Sequence, residues 1–389
     1  MTQSLPKGWE EKTIGEVATI KGGKRIPKGY KLVSYDTGHP YIRVTDFNNK
    51  GTVDLSDIHF IEEDVYKQIK QYTISSHDLY ISIAGTIGKS GIIPSSLEGA
   101  NLTENACKLV LSPCISQKFL YYFTLTTMFS LQAIEQTKVA GQPKLALSRL
   151  ASIKLKFPSL SEQRRITEKL DKIFADIDKA KENTTKNLQN AQEVFNAQLT
   201  GIFNLLKTDG AQAELQDVCT KISAGGDKPA AFSKGPTSQY KIPVYANGEQ
   251  NDGLLGFTDI PTINQPAITV AARGTIGFTC KRLTPYCPIV RLISLIPNSE
   301  KISLDFLFYA LKYLIPTGNG TSIPQLTLPT IRKFRISYPT SLDIQAKVVA
   351  RLNCLRNATQ ELEKVYTKTL TILNELKQSI LQQAFSGKL

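Results

Sequence analysis

A glycine turn that closes a short apolar run occurs twice in this chain of 389 residues. The first copy reads ISIAGTIGKSG at 81–91, and the second reads VAARGTIGFTC at 270–280. A double glycine precedes each copy, Gly22–Gly23 in the first and Gly225–Gly226 in the second. Several elements repeated in one order predict a tandem duplication, so each structural unit should occur twice.

The segments that follow the glycine turns also match each other. They read GQPKLALSRLASIKLKFPSL at 141–160 and TSIPQLTLPTIRKFRISYPT at 321–340, with prolines and leucines at a constant offset. The spacing between the other matched segments varies along the chain. The two copies therefore keep their order but differ in loop length.

Each copy has two unlike parts. The first part is rich in glycine, proline and β-branched residues, with strand-length runs such as LYISIA at 79–84, which predicts a twisted, loop-rich α/β domain. The second part lacks this pattern and has helical periodicity. The predicted fold class is α+β, with two α/β domains in tandem pseudo-twofold repeat joined by two long antiparallel coiled-coil helices. The predicted boundaries are 1–157 for the first domain, 158–206 for the central helical region, 207–340 for the second domain and 341–389 for the C-terminal helical region.

Both helical regions carry an apolar stripe. In the second region the steps alternate between four and three residues, which is the spacing of a coiled-coil seam. In the first region two successive steps of four around Ile177 form a stutter, which locally unwinds a supercoil. The predicted seam consists of Ile166, Leu170, Ile173, Ile177, Leu188, Phe195, Val348, Leu352, Leu355, Leu362, Tyr366, Leu373, Leu376 and Ile380. We expect the two helices to pack on each other, since each is available to the other at high effective concentration.

The chain is strongly basic, with a net charge of +13 and a sequence pI near 9.3. A nucleic acid, an acidic membrane surface or an ordinary basic surface would each fit this charge, and its spread along the chain beside glycines favours nucleic acid. No run approaches the roughly 18 apolar residues of a membrane span. The N-terminal sequence MTQSLPKGWEEK also lacks the apolar core of a signal peptide, so we expect a cytoplasmic protein.

The signatures of several enzyme classes and of metal sites are missing from the sequence. There is no P-loop, no dinucleotide fingerprint after a strand and no Asn/Asp-Pro-Pro-aromatic tetrapeptide of adenine methyltransferases. The six cysteines and three histidines do not have zinc-ligand spacing. We therefore expect a non-catalytic chain without a metal site.

Four segments resemble the specificity-subunit (HsdS) family of type I restriction–modification systems. They read LPKGWEEKTIGEVATIKGGK, LYISIAGTIGKSGI, AGQPKLALSRLASIKLKFPSLSEQRRI and LKQSILQQAFSGKL, in this order along the chain. The resemblance implies that each α/β domain is a target-recognition domain that reads one half of a split double-stranded DNA sequence. It also implies that the helices set the gap between the half-sites and dock two modification (HsdM-type) subunits. Restriction (HsdR-type) subunits can join such a complex.

The resemblance further implies a subunit without catalysis or a cofactor of its own, because S-adenosylmethionine would bind the modification subunit. Two alternatives stay open. The chain could be an enzyme with an unrecognised active site, for which the carboxylates at 62–64 are the best support. It could also be a self-assembling coiled-coil DNA-binding scaffold without a restriction–modification role.

Polar and basic residues beside the glycine turns are the candidate DNA contacts. Lysines can neutralise phosphates, and arginine and asparagine can bind guanine and adenine bidentately. The candidates of the first domain are Lys21, Lys24, Arg25, Lys28, Arg43, Thr45, Asn48, Asn49, Thr86, Lys89, Gln142 and Lys144. The candidates of the second domain are Lys228, Lys234, Tyr245, Asn247, Gln250, Arg273, Thr275, Asn319, Thr321 and Gln325. Base reading is expected from YIRVTDFNNKG at 41–51 and VYANGEQNDG at 244–253, for which turn-forming side chains are the structural alternative.

Overall fold

The structure is a computed structural model that describes residues 6–137, 143–316 and 326–389. It divides into two compact units. The first unit comprises Met1–Thr184 and Lys368–Leu389, and the second comprises Thr185–Thr367. The boundary between the units crosses both long helices, so each unit contains one α/β domain and a segment of each helix.

Short strands and helices build the α/β domain of the first unit. Its strands are β1 (Glu10–Thr13), β2 (Ala18–Gly22), β3 (Pro40–Ile42), β4 (His59–Phe60), β5 (Leu79–Ser82), β6 (Ser90–Gly91), β7 (Asn101–Leu102), β8 (Ala106–Leu111) and β9 (Lys154–Phe157). Its helices are α1 (Ile14–Val17), α2 (Glu63–Ile69), α3 (Gln117–Thr124), α4 (Thr127–Glu135) and α5 (Leu147–Ala151), and the long helix α6 (Leu160–Asp209) follows β9.

Three small sheets organise these strands. The four-stranded sheet has the order β2-β8-β5-β6 and is antiparallel. The three-stranded sheet has the order β4-β3-β7, in which β3 and β7 are parallel. Strands β1 and β9 form an antiparallel pair at the two ends of the domain sequence.

The second unit repeats this arrangement. Its strands are β10 (Ala211–Glu214), β11 (Cys219–Ala224), β12 (Ile242–Tyr245), β13 (Leu254–Thr258), β14 (Ala267–Val270), β15 (Thr279–Arg282), β16 (Cys287–Pro288), β17 (Ile293–Pro297) and β18 (Arg335–Tyr338). Its helices are α7 (Leu215–Val218), α8 (Leu304–Leu314) and α9 (Leu328–Arg332), and the long helix α10 (Leu342–Phe385) follows β18.

The sheets of the second unit have the orders β11-β17-β14-β15, β13-β12-β16 and β10-β18. As in the first unit, the three-stranded sheet contains one parallel pair, formed here by β12 and β16. A parallel pair of strands needs a crossover connection. Its recurrence at the same place is therefore specific evidence that the two domains share one topology. The shared topology confirms the predicted tandem repeat of α/β domains.

Backbone hydrogen bonds fix how the two copies correspond at the double glycines. The N–H of Gly23 donates to the carbonyl of Ala106, and the N–H of Gly225 donates to the carbonyl of Leu292. Gly23 therefore corresponds to Gly225. The match of Gly22 with Gly225 that the sequence suggests is wrong by one residue.

Close backbone approach explains why these two positions are glycine. A Cβ atom on Gly23 would lie 2.1 Å from the carbonyl oxygen of Thr103. A Cβ atom on Gly225 would lie 2.5 Å from the carbonyl carbon of Pro288. Both distances are far inside van der Waals contact, so neither site accommodates a side chain without a shift of the backbone.

A buried glutamine ties helix α6 to the first domain. The Oε1 atom of Gln163 accepts from the N–H of Ser116 at 2.8 Å. Its Nε2 atom donates to the carbonyls of Cys114 and Pro158, both at 2.9 Å. Ser116 in turn caps α3, because its side chain accepts from the N–H of Phe119.

The second domain uses an equivalent glutamine at the start of α10. The Oε1 atom of Gln345 accepts from the N–H of Ser303 at 2.9 Å. Its Nε2 atom donates to the carbonyls of Lys301 and Pro339, both at 2.8 Å. The same side-chain network therefore joins domain to helix in each copy.

The two long helices pack against each other in an antiparallel direction. In the first unit, Arg165 donates to the carbonyl of Leu389 at 2.9 Å, and Lys377 lies 3.4 Å from Asp178. Residue numbers rise along α6 while those of its contacts in α10 and the segment after it fall, which defines the antiparallel direction. In the second unit, Leu199 of α6 and other apolar residues of both helices share one core.

The predicted seam residues differ in their burial. Ile166, Leu170, Ile177 and Leu352 are buried. The half-buried members are Ile173, Leu188, Phe195, Val348, Leu355, Tyr366, Leu373 and Ile380. Leu362 and Leu376 are each 44% exposed.

Buried helix residues also lie outside the predicted stripe. They are Phe174, Leu199, Phe203, Val349, Leu381, Ala384 and Phe385. Several of them join the cores of the α/β domains. A helix that packs on a domain as well as on another helix needs a wider apolar face than a single seam provides.

Across residues 6–137, 143–316 and 326–389, no helix combines the length and the apolar character that crossing a membrane requires.

Candidate nucleic-acid interface

The first basic segment, KGGKRIPKG at 21–29, follows the close backbone approach of Gly23. The side chains of Lys21, Lys24, Arg25 and Lys28 are exposed. The backbone of Lys24 is fixed, because its N–H donates to the carbonyl of Leu102 at 2.8 Å and its carbonyl accepts from the hydroxyl of Tyr41 at 2.8 Å. Exposed ammonium groups on a fixed backbone can neutralise phosphates.

Arg43 lies at the end of strand β3, and its guanidinium contacts two carboxylates. Nη2 lies 2.6 Å from Oδ1 of Asp46 and 3.0 Å from Oδ2 of Asp57. The hydrogen bond that the guanidinium donates to the carboxylate of Asp46 raises the pKa of Arg43 above its usual value. The Nε and Nη2 groups of the guanidinium are therefore engaged by carboxylates of the same domain, and a base contact by Arg43 stays a prediction.

The segment after Arg43 is a turn. Thr45 and Asn49 are exposed. Asn48 is half-buried, and its Oδ1 atom accepts from the N–H groups of Lys50 at 2.8 Å and Thr52 at 3.2 Å. These bonds are those of a turn-forming asparagine, and base reading by Asn48 stays a prediction.

The glycine turn of the first domain follows β5. Gly85 and Gly88 have φ angles of +75° and +87°, which only glycine adopts without strain. Thr86 is exposed, whereas the ammonium group of Lys89 donates to the backbone carbonyl of Phe47. The structure therefore presents Thr86 to solvent and uses Lys89 to join two loops.

The segment before helix α5 supplies one further candidate of the first domain. Lys144 is exposed and its backbone is bridged to Ala84. Gln142 lies outside the described residues.

In the second domain, five candidates lie near the equivalent turns, and all five are at least partly exposed. Lys228, Lys234, Gln250 and Arg273 are exposed, and Thr275 is half-buried. The ammonium group of Lys228 lies 3.6 Å from the ring centroid of Phe232, a cation–π contact that orients it. The candidates Asn319, Thr321 and Gln325 lie outside the described residues.

Asn247 uses its side-chain amide inside the domain. Its Nδ2 atom donates to the carbonyl of Val290 at 2.7 Å. Its Oδ1 atom accepts from the N–H of Ala272 at 2.8 Å. Asn247 therefore joins the loop after β16 to the loop after β14, and its predicted base contact stays a prediction.

Tyr245 supports an arginine that sequence reasoning did not identify. The guanidinium carbon of Arg282 lies 3.6 Å from the ring centroid of Tyr245. Arg282 is buried, and it donates to the hydroxyl of Thr269 at 3.0 Å and to the carbonyl of Asp252 at 2.5 Å. No local sequence signal marks this pair, because its members are far apart in the chain.

Metal ligands and reactive thiols are the remaining chemical groups of interest. Within the three described stretches, no group of three or more histidine, cysteine, aspartate and glutamate residues could hold a metal ion. The six cysteines have free thiols. Burial raises the pKa of Cys107 and of Cys219 to about 12, so neither thiol is suited to nucleophilic chemistry near neutral pH.

The chain contains two copies of one α/β domain, each with exposed basic side chains beside its glycine turns. It is therefore a tandem-repeat α/β protein whose two long helices pack against each other. Within that class, residues 6–187 and 209–372 match the type I restriction modification DNA specificity domain, and the chain belongs to this family.

Curated relatives carry the same description. The chain is 26% identical to the EcoKI specificity subunit of Escherichia coli K12 over 99% of this chain and 90% of that protein. It is 24% identical to the StySPI specificity subunit of Salmonella potsdam over the same shares. The chain spans about half the length of other relatives that it matches, including 59% of a Mycoplasma pneumoniae type I specificity subunit homologue at 32% identity and 51% of the EcoBI subunit.

Two solved structures share the fold. A chain from a type I restriction–modification assembly study superposes with a TM-score of 0.81 at 18% identity, covering 99% of this chain and 100% of that one. The HsdS subunit of Thermoanaerobacter tengcongensis superposes with a TM-score of 0.60 at 19% identity, covering 100% of this chain and 99% of that one.

Proposed function

We propose that this chain is the DNA-specificity subunit of a type I restriction–modification complex. Each α/β domain binds one half of a bipartite double-stranded DNA target, and the long helices set the gap between the halves. The observation that carries this proposal is the exact recurrence of the sheet topology, with its one parallel pair, in two domains whose exposed loops carry unlike side chains. One framework with two loop sets is what two unlike half-sites require.

The proposed partners follow from this role. Two modification subunits dock on the helical scaffold and transfer the methyl group of S-adenosylmethionine to adenine, and restriction subunits can complete a nuclease. The chain itself supplies recognition and no catalytic group, and it acts in the cytoplasm, where chromosomal DNA is accessible. The net charge of +13 supports binding to a polyanion.

Exchange of one domain tests the proposal. Residues 1–157 are replaced by the equivalent domain of a relative with another target, and the variant is expressed with its modification subunits. We expect methylation mapping of the cells to show one changed half-site, one unchanged half-site and an unchanged gap. The reciprocal exchange of residues 207–340 is the matched control and should change only the other half-site.

A change in both half-sites after the exchange of a single domain would contradict the proposal that each domain reads its half-site independently. Methylation that is lost in both exchanges, although the variants assemble and melt normally, would contradict the role of the domains in specificity.

Salt dependence separates this function from the scaffold alternative. Lys24 has an exposed ammonium group that can contact a phosphate. The Lys24→Ala variant should weaken binding to all DNA sequences alike and reduce the slope of log affinity against log salt concentration by about one unit. A scaffold with an incidental basic surface would show no sequence-selective binding in the assembled complex at any salt concentration.

A further inference from the structure

The loop between β16 and β17 holds two consecutive non-glycine residues in the left-handed region. Val290 has a φ angle of +53°, and Arg291 has a φ angle of +62°. This conformation is unfavourable for side chains in general and most of all for a β-branched one. Such backbone persists only where the surrounding structure holds it, and it occurs preferentially at functional sites.

Three hydrogen bonds hold this loop. The N–H of Val290 donates to the carbonyl of Gly226 at 2.8 Å, and the N–H of Arg291 donates to the carbonyl of Gly225 at 3.1 Å. The carbonyl of Val290 accepts from the amide of Asn247 at 2.7 Å. The double glycine and Asn247 therefore fix the position from which the Arg291 side chain extends.

The side chain of Arg291 is available for an external ligand. It is exposed and forms one wall of an open groove of about 350 Å³. Among the described residues, no carboxylate or hydrogen-bond acceptor pairs with its guanidinium. By contrast, Arg282 of the same domain is buried against Tyr245, and Arg332 donates to a backbone carbonyl.

The neighbours of this loop are residues that the sequence already marks as candidate DNA contacts. Gly226 leads within two residues to Lys228, which is exposed. Asn247 also holds the N–H of Ala272, the residue before the exposed Arg273. Hydrogen bonds thus bring three segments with basic side chains to one end of the second domain, with Arg291 on the loop that connects them.

The first domain has an equivalent loop with different side chains. The N–H of Thr103 donates to the carbonyl of Ile42 at 3.0 Å, and the N–H of Ile289 donates to the carbonyl of Tyr245 at 2.9 Å. Thr103 thus corresponds to Ile289, and Arg291 is matched by the asparagine two residues after Thr103. In the first domain this loop does not have the left-handed conformation of Val290 and Arg291. A position that two domains share in topology, but that differs between them in side chain and backbone conformation, is where different bases would be distinguished.

We infer that Arg291 is a specificity-determining residue of the second domain, whose guanidinium binds the edge of a guanine in the DNA half-site. This inference rests on the proposed function. The planar fork of arginine matches the two acceptors of guanine in the major groove. The fixed backbone of the loop limits the positions that the guanidinium group of Arg291 can reach. Base discrimination needs such a restricted geometry.

Two substitutions at one position test the inference in the complete complex. Arg291→Gln removes the charge, and Arg291→Lys keeps the charge but loses the fork. The matched control is Arg335→Gln, which changes an exposed arginine of β18 in the same domain. Each chain is purified with its modification subunits, and methylation rates are measured on a DNA library with both half-sites randomised.

We expect both Arg291 variants to relax one guanine position in the half-site of the second domain. The rate on the original site should fall by about 10- to 100-fold, as expected for loss of one bidentate base contact. The other half-site, the gap and the melting temperature should stay as in the unsubstituted complex, and Arg335→Gln should change none of these.

Unchanged base preferences in both variants would overturn the inference. Full restoration of base preference by Arg291→Lys would also overturn it, because a phosphate contact needs only the charge. Failure of the proposed function is a separate result, since the unsubstituted complex would then show no bipartite methylation at all.

Discussion

At the scale of single residues, the sequence allows two interpretations of Arg43, a base contact and an ion pair. An arginine three residues before an aspartate, in a polar loop after a strand, fits a base contact and an ion pair equally well. The structure shows the ion pair, with the carboxylate of Asp46 only 4% exposed. The local sequence predicted the position of this loop. The second carboxylate, Asp57, is brought to Arg43 by the fold, and no pattern in the neighbouring sequence predicts this contact.

Replacement of Arg43 should destabilise the first domain. In Arg43→Ala the buried carboxylate of Asp46 loses its cation, which should lower the free energy of unfolding by roughly 1–3 kcal/mol. The matched control is Arg25→Ala, since the side chain of Arg25 is 76% exposed in its ion pair with Glu104, which should contribute less than about 1 kcal/mol. Thermal unfolding, with hydrogen exchange to localise the change to β3, measures both. Equal losses in the two variants would show that the Asp46 contact is not structural.

The cysteines offer a test of burial at single positions. Burial raises the pKa of Cys107 to about 12, so its reactive thiolate is scarce at pH 8, whereas Cys354 on α10 is exposed. We expect iodoacetamide at pH 8 to alkylate Cys354 first and to reach Cys107 only after unfolding. Peptide mass spectrometry of timed samples measures the two rates. Labelling of Cys107 as fast as Cys354 in the folded chain would contradict the buried position of β8.

At the scale of elements, periodicity predicted the two long helices and their apolar stripes, because a helix repeats every 3.6 residues whatever it packs against. It did not predict which part of a stripe is buried. Leu352 and Leu362 both belong to the stripe with the 4-3 spacing, yet Leu352 is fully buried and Leu362 is 44% exposed. The difference arises because Leu352 also joins the core of the second domain.

Alanine substitutions at these two leucines should therefore differ in cost. Leu352→Ala removes a buried side chain and should lower the free energy of unfolding by about 2–5 kcal/mol. Leu362→Ala has the same chemistry on the same helix and should cost less than about 1 kcal/mol. Denaturant unfolding followed by circular dichroism measures both values. Similar costs would indicate that Leu362 is buried in the assembled protein and belongs to a continuous seam.

At the scale of the whole molecule, the duplication was predictable because two copies of one sequence pattern must build two copies of one fold. The side-chain networks that organise each copy were not, since they join residues from distant segments. Asn247 is an example: its sequence context suggests a turn or a base contact, and the structure shows an amide that links two loops. The bonds of Gln163 and Gln345 likewise join residues from distant segments and have no local sequence signal.

The final prediction concerns the gap between the half-sites. If the helices set this gap, lengthening both of them should lengthen it without changing the bases that are read. The boundary between the units lies between Thr184 and Thr185 in α6 and between Thr367 and Lys368 in α10. Four helix-forming residues inserted at each boundary add about 6 Å of helix. Four residues also come close to one helical turn, so the seam can continue as a stutter.

We expect the complex with both insertions to methylate the original half-sites with a gap longer by about one or two base pairs, since base pairs stack about 3.4 Å apart. Insertion of one residue at each boundary is the control: it rotates the following helix by about 100° and should abolish methylation at every gap length. Methylation of a DNA library with randomised gap lengths measures both variants. An original gap after the four-residue insertions would mean that some element other than the helices sets the distance, because the framework of each domain is unchanged in this variant.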